Sequence, residues 1–87
     1  MAQPGTKARY RVSVSGGVAD DGGGVREVPV CELETMAPSA AKAANNARHR
    51  AGYSGYRKVG RDSRGRYVYR MPLDGAMGYA FMQVVAL

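Results

Sequence analysis

Gly52-Tyr-Ser-Gly-Tyr-Arg-Lys-Val-Gly-Arg-Asp-Ser-Arg-Gly-Arg-Tyr-Val-Tyr-Arg-Met71 carries six of the thirteen basic residues and four of the six tyrosines in an 87-residue chain. It reads as a hairpin. Two β-prone runs, Tyr53 to Arg61 and Arg66 to Met71, flank Asp62-Ser63-Arg64-Gly65, where Gly65 can take the positive φ that a four-residue connection needs. Side chains alternate across a strand. Arg66, Val68 and Arg70 therefore share one face and Tyr67, Tyr69 and Met71 the other, while Arg57, Val59 and Arg61 oppose Tyr56 and Lys58. The expected result is a basic ladder on one face, above a layer of tyrosine and valine.

Outward from the hairpin, the charge is unevenly spread. From Lys42 to Arg70 nine basic residues stand against Asp62 alone, a balance of +8, so the rest of this +6 chain totals −2. A concentrated positive field favours polyanions or acidic protein surfaces. The composition also limits the chemistry. Cys31 and His49 each stand alone in their residue type, which leaves no internal disulfide and no protein-only zinc site. No carboxylate is spaced to orient His49 as a base, so a non-enzymatic protein without a cofactor is expected.

Before the hairpin, Met36, Ala40, Ala43, Ala44, Ala47 and Ala51 recur at three- and four-residue spacing. This predicts a helix capped by Thr35, with Pro38 in its first turn and Gly52 just past its end. An alanine stripe lets a helix lie close to a sheet, but each alanine buries little area at about 25 cal/mol per Å². Lys42, Asn45, Asn46, His49 and Arg50 fall on its other face. Arg48, His49 and Arg50 also suit the negative end of the helix dipole.

Further back, Tyr10, Val12 and Val14 alternate with Arg9, Arg11, Ser13 and Ser15, the pattern of a half-buried strand over Ala8 to Ser15. Gly16 to Gly24 reads as a long hairpin connection made soluble by Asp20 and Asp21; it lacks the Lys-Ser/Thr of a phosphate-binding loop. Val25 to Leu33 reads as the return strand, with Val28 and Val30 toward the core. Cys31 then joins Glu27, Pro29 and Leu33 on the far side, and Pro29 marks an edge or a bulge. After the hairpin, Pro72 to Gly78 is a turn, and Tyr79 to Leu87 is a buried strand or a short helix. Placed centrally, that strand would join the two hairpins into one sheet.

The expectation is one small α+β domain over residues 8–87, after a disordered segment 1–7. It has an antiparallel sheet of four to five strands and one helix, in the order β-β-α-β-β-β. With no apolar leader and no membrane-length apolar run, a cytoplasmic protein is expected, monomeric or homodimeric. Arg57, Lys58, Arg61, Arg64, Arg66 and Arg70, with Arg48 and Arg50, are the candidate contacts to DNA, RNA or an acidic surface of a nucleic-acid-binding complex.

Three partial resemblances accompany this reading. Ser54-Gly55-Tyr56-Arg57-Lys58-Val59, through the turn to Gly65-Arg66-Tyr67-Val68-Tyr69-Arg70, resembles part of the three-stranded DNA-reading domains of plants and phages, although there the helix follows the strands. Ser39 to Ala47 after Tyr10-Arg11-Val12-Ser13-Val14 resembles the closing helix of double-stranded-RNA-binding domains, which end at that helix. The arrangement of two strands, an alanine-rich helix and two or three further strands resembles small anti-CRISPR proteins of phages and mobile elements. That last likeness implies inhibition by protein–protein contact with an RNA-guided effector and transfers no site residues.

Overall fold

In the computed structural model, which describes residues 6–19, 22 and 24–87, strands β1 (Ala8–Ala19) and β2 (Val25–Ala37) precede helix α1 (Ala40–Arg50). Strands β3 (Arg57–Arg61), β4 (Tyr67–Leu73) and β5 (Ala76–Ala86) follow it. Every pairing is antiparallel and the strand order is β2-β1-β5-β4-β3. The expected α+β class and five-stranded sheet hold. The C-terminal segment is a strand, and it lies between β1 and β4, joining the two hairpins. Residues 1–5 of the segment expected to be disordered, and Asp20 and Asp21, lie outside the described residues.

The helix covers one face of the sheet over β5, β2 and β1. Its three fully buried residues, Ala43, Ala44 and Ala47, meet Val12, Val14, Tyr67, Tyr69, Ala80 and Met82. Alanine supplies close approach and the sheet supplies volume. Met82, Val12 and Val14 are the largest fully buried side chains, each stabilising by about 1.5–3 kcal/mol. Beyond the helix C-terminus, Tyr53 and Tyr56 pack edge to face with centroids 4.8 Å apart and extend this layer. Their hydroxyls lie against Gly16 and Gly78, where any Cβ would collide with them. The molecule is elongated, 52 × 21 × 19 Å.

Several expected boundaries move, each for a local reason. The helix begins at Ala40 with Ser39 as its cap, because Thr35 and Met36 remain paired with Tyr10 and Arg9 in β2. Ser39 Oγ accepts the Lys42 backbone N–H at 3.2 Å. Gly16 and Gly17 belong to β1 rather than to a loop, held between β2 and β5. The predicted turn at Pro72 to Gly78 contracts to Asp74-Gly75 between paired Leu73 and Ala76.

In β2 the register shifts between Val14 and Ser15, whose partners are Cys31 and Pro29, so Pro29 does mark an irregularity on an edge strand. The facing of β2 differs from expectation. Leu33, opposite Val12, packs against the core instead of the far side, whereas Val28, opposite Gly16, and Val30 keep the expected side but are 59% and 44% exposed. The helix engages β2 only near its end, through Asn46 to Thr35 and Arg50 to Glu34. The valines lie beyond its reach.

A second irregularity bears on the candidate site. Lys58 pairs with Tyr69 and Gly60 with Val68, so Val59 is an extra residue in β3. Gly60 accommodates the bulge with φ of 153°, a conformation other residues rarely adopt. Past the bulge the alternation inverts. Arg57 opposes Arg70 on the face away from the helix, but Arg61 opposes Tyr67 on the helix side, together with Lys58. The predicted ladder of Arg57 and Arg61 on one face is therefore wrong: the cations divide between the two faces of the edge strand.

Candidate functional site

Arg48 organises the link between α1 and β3. Its guanidinium donates to the carbonyls of Tyr53, Ser54 and Tyr56 at 3.3, 2.8 and 2.8 Å and to Asn45 Oδ1 at 2.6 Å. It also lies 5.1 Å from the Tyr69 ring centroid. These bonds satisfy loop carbonyls that would otherwise face a packed surface. The sequence placed Arg48 among the ligand contacts; the structure uses it as a staple.

Arg48 also fixes the state of His49. A guanidinium can only donate, so its approach to His49 Nε2 at 3.2 Å makes that nitrogen an acceptor. Nδ1 then carries the proton and donates to Ser54 Oγ at 2.9 Å. This sense is opposite to that of a base taking the serine proton. The pair is a hydrogen-bonded closure of the loop.

The Asp62 turn consumes Arg66. Asp62 Oδ1 accepts the backbone N–H groups of Arg64 and Arg66 at 3.0 and 2.9 Å, and Oδ2 accepts Arg66 Nε at 2.8 Å. Gly65 takes a φ of 78°, as the turn requires. Arg66 then reaches Glu27 Oε2 at 2.8 Å and covers the Phe81 ring at 4.5 Å, leaving its side chain 11% exposed. Burial alone would raise the Asp62 carboxyl, but the bonds from Arg66 and Arg64 outweigh it and hold the group below the usual carboxylate range. The Glu27 bond, ahead of the cost of burial, raises Arg66 above its usual value.

Arg61 is also engaged, donating to Gly65 O at 2.9 Å and lying 4.4 Å from the Tyr67 centroid. Arg50 donates to Glu34 O at 2.9 Å. Of the eight expected contacts only Arg66 forms an ion pair among the described residues; Arg57, Lys58, Arg64 and Arg70 are exposed and their side chains donate no hydrogen bond there, although Lys58 lies 5.7 Å from the Tyr67 ring centroid.

Between α1 and β3 lies a groove of about 750 Å³, lined by Lys42, Arg48, Arg57 and Lys58 with Asn45, Ser54 and Tyr56, and by no carboxylate. Lys42 was not among the expected contacts, although its place on the polar helix face was legible. The first turn of α1 holds no acidic residue, so the positive end of its dipole adds to the field of the cations. The described carboxylates lie elsewhere. Glu32 and Glu34 pair with Arg9 and Arg11 on the β1–β2 hairpin, and Glu27 and Asp62 pair with Arg66.

Tyr67 and Tyr69 are buried and Tyr53 and Tyr56 half-buried, which gives all four a packing role. No group of three or more metal-ligating side chains gathers among the described residues, and no described helix is long and apolar enough to cross a membrane. Comparison with protein-family models, characterised proteins and solved structures returned no match.

Proposed function

We propose that this protein is a small non-enzymatic binding module that holds nucleic-acid phosphates along the α1–β3 groove and the exposed edge of β3. One observation carries the reading: four of the five described carboxylates, Glu27, Glu32, Glu34 and Asp62, are spent on Arg9, Arg11 and Arg66, while Lys42, Arg57, Lys58, Arg64 and Arg70 have no acidic partner among the described residues. An unneutralised cluster of this kind supplies affinity with little sequence choice, and that affinity falls steeply as salt displaces the gain from counterion release.

The test is retention on heparin and on generic oligonucleotides, single- and double-stranded, at low and high salt. Binding at low salt that collapses as salt rises supports the proposal, as does its loss in a folded variant with Lys42, Arg57, Lys58 and Arg70 changed to Ala. Failure to bind any of these at low salt rejects it. The same cations would then be assigned to an acidic protein surface, as in an inhibitor of a nucleic-acid-processing complex.

A further inference from the structure

The bulge at Val59-Gly60 puts cations on both faces of an edge strand. Arg57, which also borders the groove, pairs with Arg70 on the face away from the helix; Lys58 lies on the helix side, with Lys42 across the groove. The helix lies over β5, β2 and β1, and Arg48 at its C-terminal end covers Tyr69 of β4, so in the β3–β4 ribbon β3 alone is exposed on both faces. The result is a thin flange, positive above and below. A surface lying flat on one phosphate row would need cations on a single face. A flange with cations on both faces suits two phosphate rows with a gap between them.

Dimensions select the gap. Sheets pack about 10 Å apart, so one sheet with side chains on both faces is a layer about 10 Å thick. The major groove of B-form DNA is about 12 Å wide and 8.5 Å deep. Neighbouring strands are about 4.8 Å apart, so β3, the outermost strand, enters within that depth. The minor groove, about 6 Å wide, is too narrow. The A-form major groove is deep and narrow and closed to side chains. The carboxylate nearest in sequence, Asp62, is held by Arg66 and does not oppose entry.

Resting on the proposed phosphate binding, we infer that the ligand is B-form duplex DNA, with β3 entering the major groove edge-on. Lys42 and Lys58 meet one phosphate backbone, and Arg57 and Arg70 meet the other. Arg64, in the turn that closes the ribbon, lies at the end of the same groove.

The experiment measures, for the full chain, affinity against salt for a random-sequence DNA duplex, the RNA duplex of the same sequence and each DNA single strand. The DNA duplex is expected to bind at least tenfold more tightly than the others. Lys42→Ala with Lys58→Ala, and separately Arg57→Ala with Arg70→Ala, should each lower the slope of log K against log salt by about 1.8, two contacts at about 0.9 each. All four side chains are exposed, and unchanged melting confirms that each variant folds. Bound protein should also protect guanine N7, which lies in the major groove, from methylation. Equal or tighter binding of RNA duplex or single strand, a silent pair of substitutions, or unprotected N7 overturns the inference while phosphate binding stands. Binding of no nucleic acid at all overturns both.

Discussion

Replacing Arg66 by Ala should damage the fold rather than the binding surface, although the sequence reads it as one rung of a basic ladder. Its side chain is 11% exposed and ties the β3–β4 turn to β2, 39 residues away, through Glu27 at 2.8 Å and Asp62 at 2.8 Å. It also covers Phe81, itself 8% exposed. Hydrogen bonds to charged groups contribute about 1.5–3 kcal/mol each, exposed ion pairs about 0–1, and a cation over a ring about 0.5–2. Glu27 is 33% and Asp62 22% exposed, so water recovers part of the loss. The contributions share atoms and do not add. A cost of about 2–4 kcal/mol follows, a large part of the roughly 4–13 kcal/mol expected for a domain of this length. Urea unfolding reads it directly. With a slope of about 1 kcal/mol per molar, the midpoint should fall by about 2–4 M. Arg70→Ala, at an exposed position in the strand that follows, should move stability by less than about 0.5 kcal/mol. Equal midpoints for the two variants would refute the reasoning.

Other substitutions follow from the same contacts. Asp62→Asn should cost about 1–2 kcal/mol at neutral pH by removing a charged acceptor. Because the folded carboxyl titrates below its ordinary value, wild type's advantage is whole above the unfolded value of about 3.9 and is lost as pH falls through the lower folded one; acid titration of both proteins should converge. Gly78→Val should destabilise by about 1–3 kcal/mol, since even a Cβ would stand 2.8 Å from the Tyr56 hydroxyl and 3.1 Å from Leu73 Cδ1. Thermal melting checks it. Arg48→Ala should lower stability by about 2–4 kcal/mol by leaving three loop carbonyls without their donor, and Arg48→Lys should rescue only part of it, since one ammonium cannot span them.

Strand and helix existence was legible because the periodicities were clean. Tyr10, Val12 and Val14 alternate, and Ala43, Ala44 and Ala47 recur at helical spacing; those are the residues that meet in the core. Facing failed where an inserted residue inverted the alternation. Nothing in Lys-Val-Gly-Arg marks Val59 as unpaired, since Val suits a strand and Gly60 reads equally as a weak strand position. The same limit misplaced Leu33, which the irregularity beside Pro29 brings to the same face as Val28. Ion pairing was the least legible feature. Arg66 and Arg70 look alike in sequence, and only the tertiary approach of Glu27 distinguishes a buried brace from a free cation. Asp62 was read as a turn former, without the sign that its carboxylate would also hold an arginine.

The central claim is that free cations cluster at the β3 edge and across the groove from it, while Arg9 and Arg11 of the β1–β2 hairpin are paired with Glu32 and Glu34. Backbone amide shifts of the labelled protein, followed as a short DNA duplex is added at low salt, test it most directly. The account predicts progressive changes confined to Lys42, Asn45, residues 54–61, Arg64 and Arg70, with Arg9, Arg11 and residues 25–34 unmoved. Changes centred on the β1–β2 hairpin, or none anywhere, would contradict it.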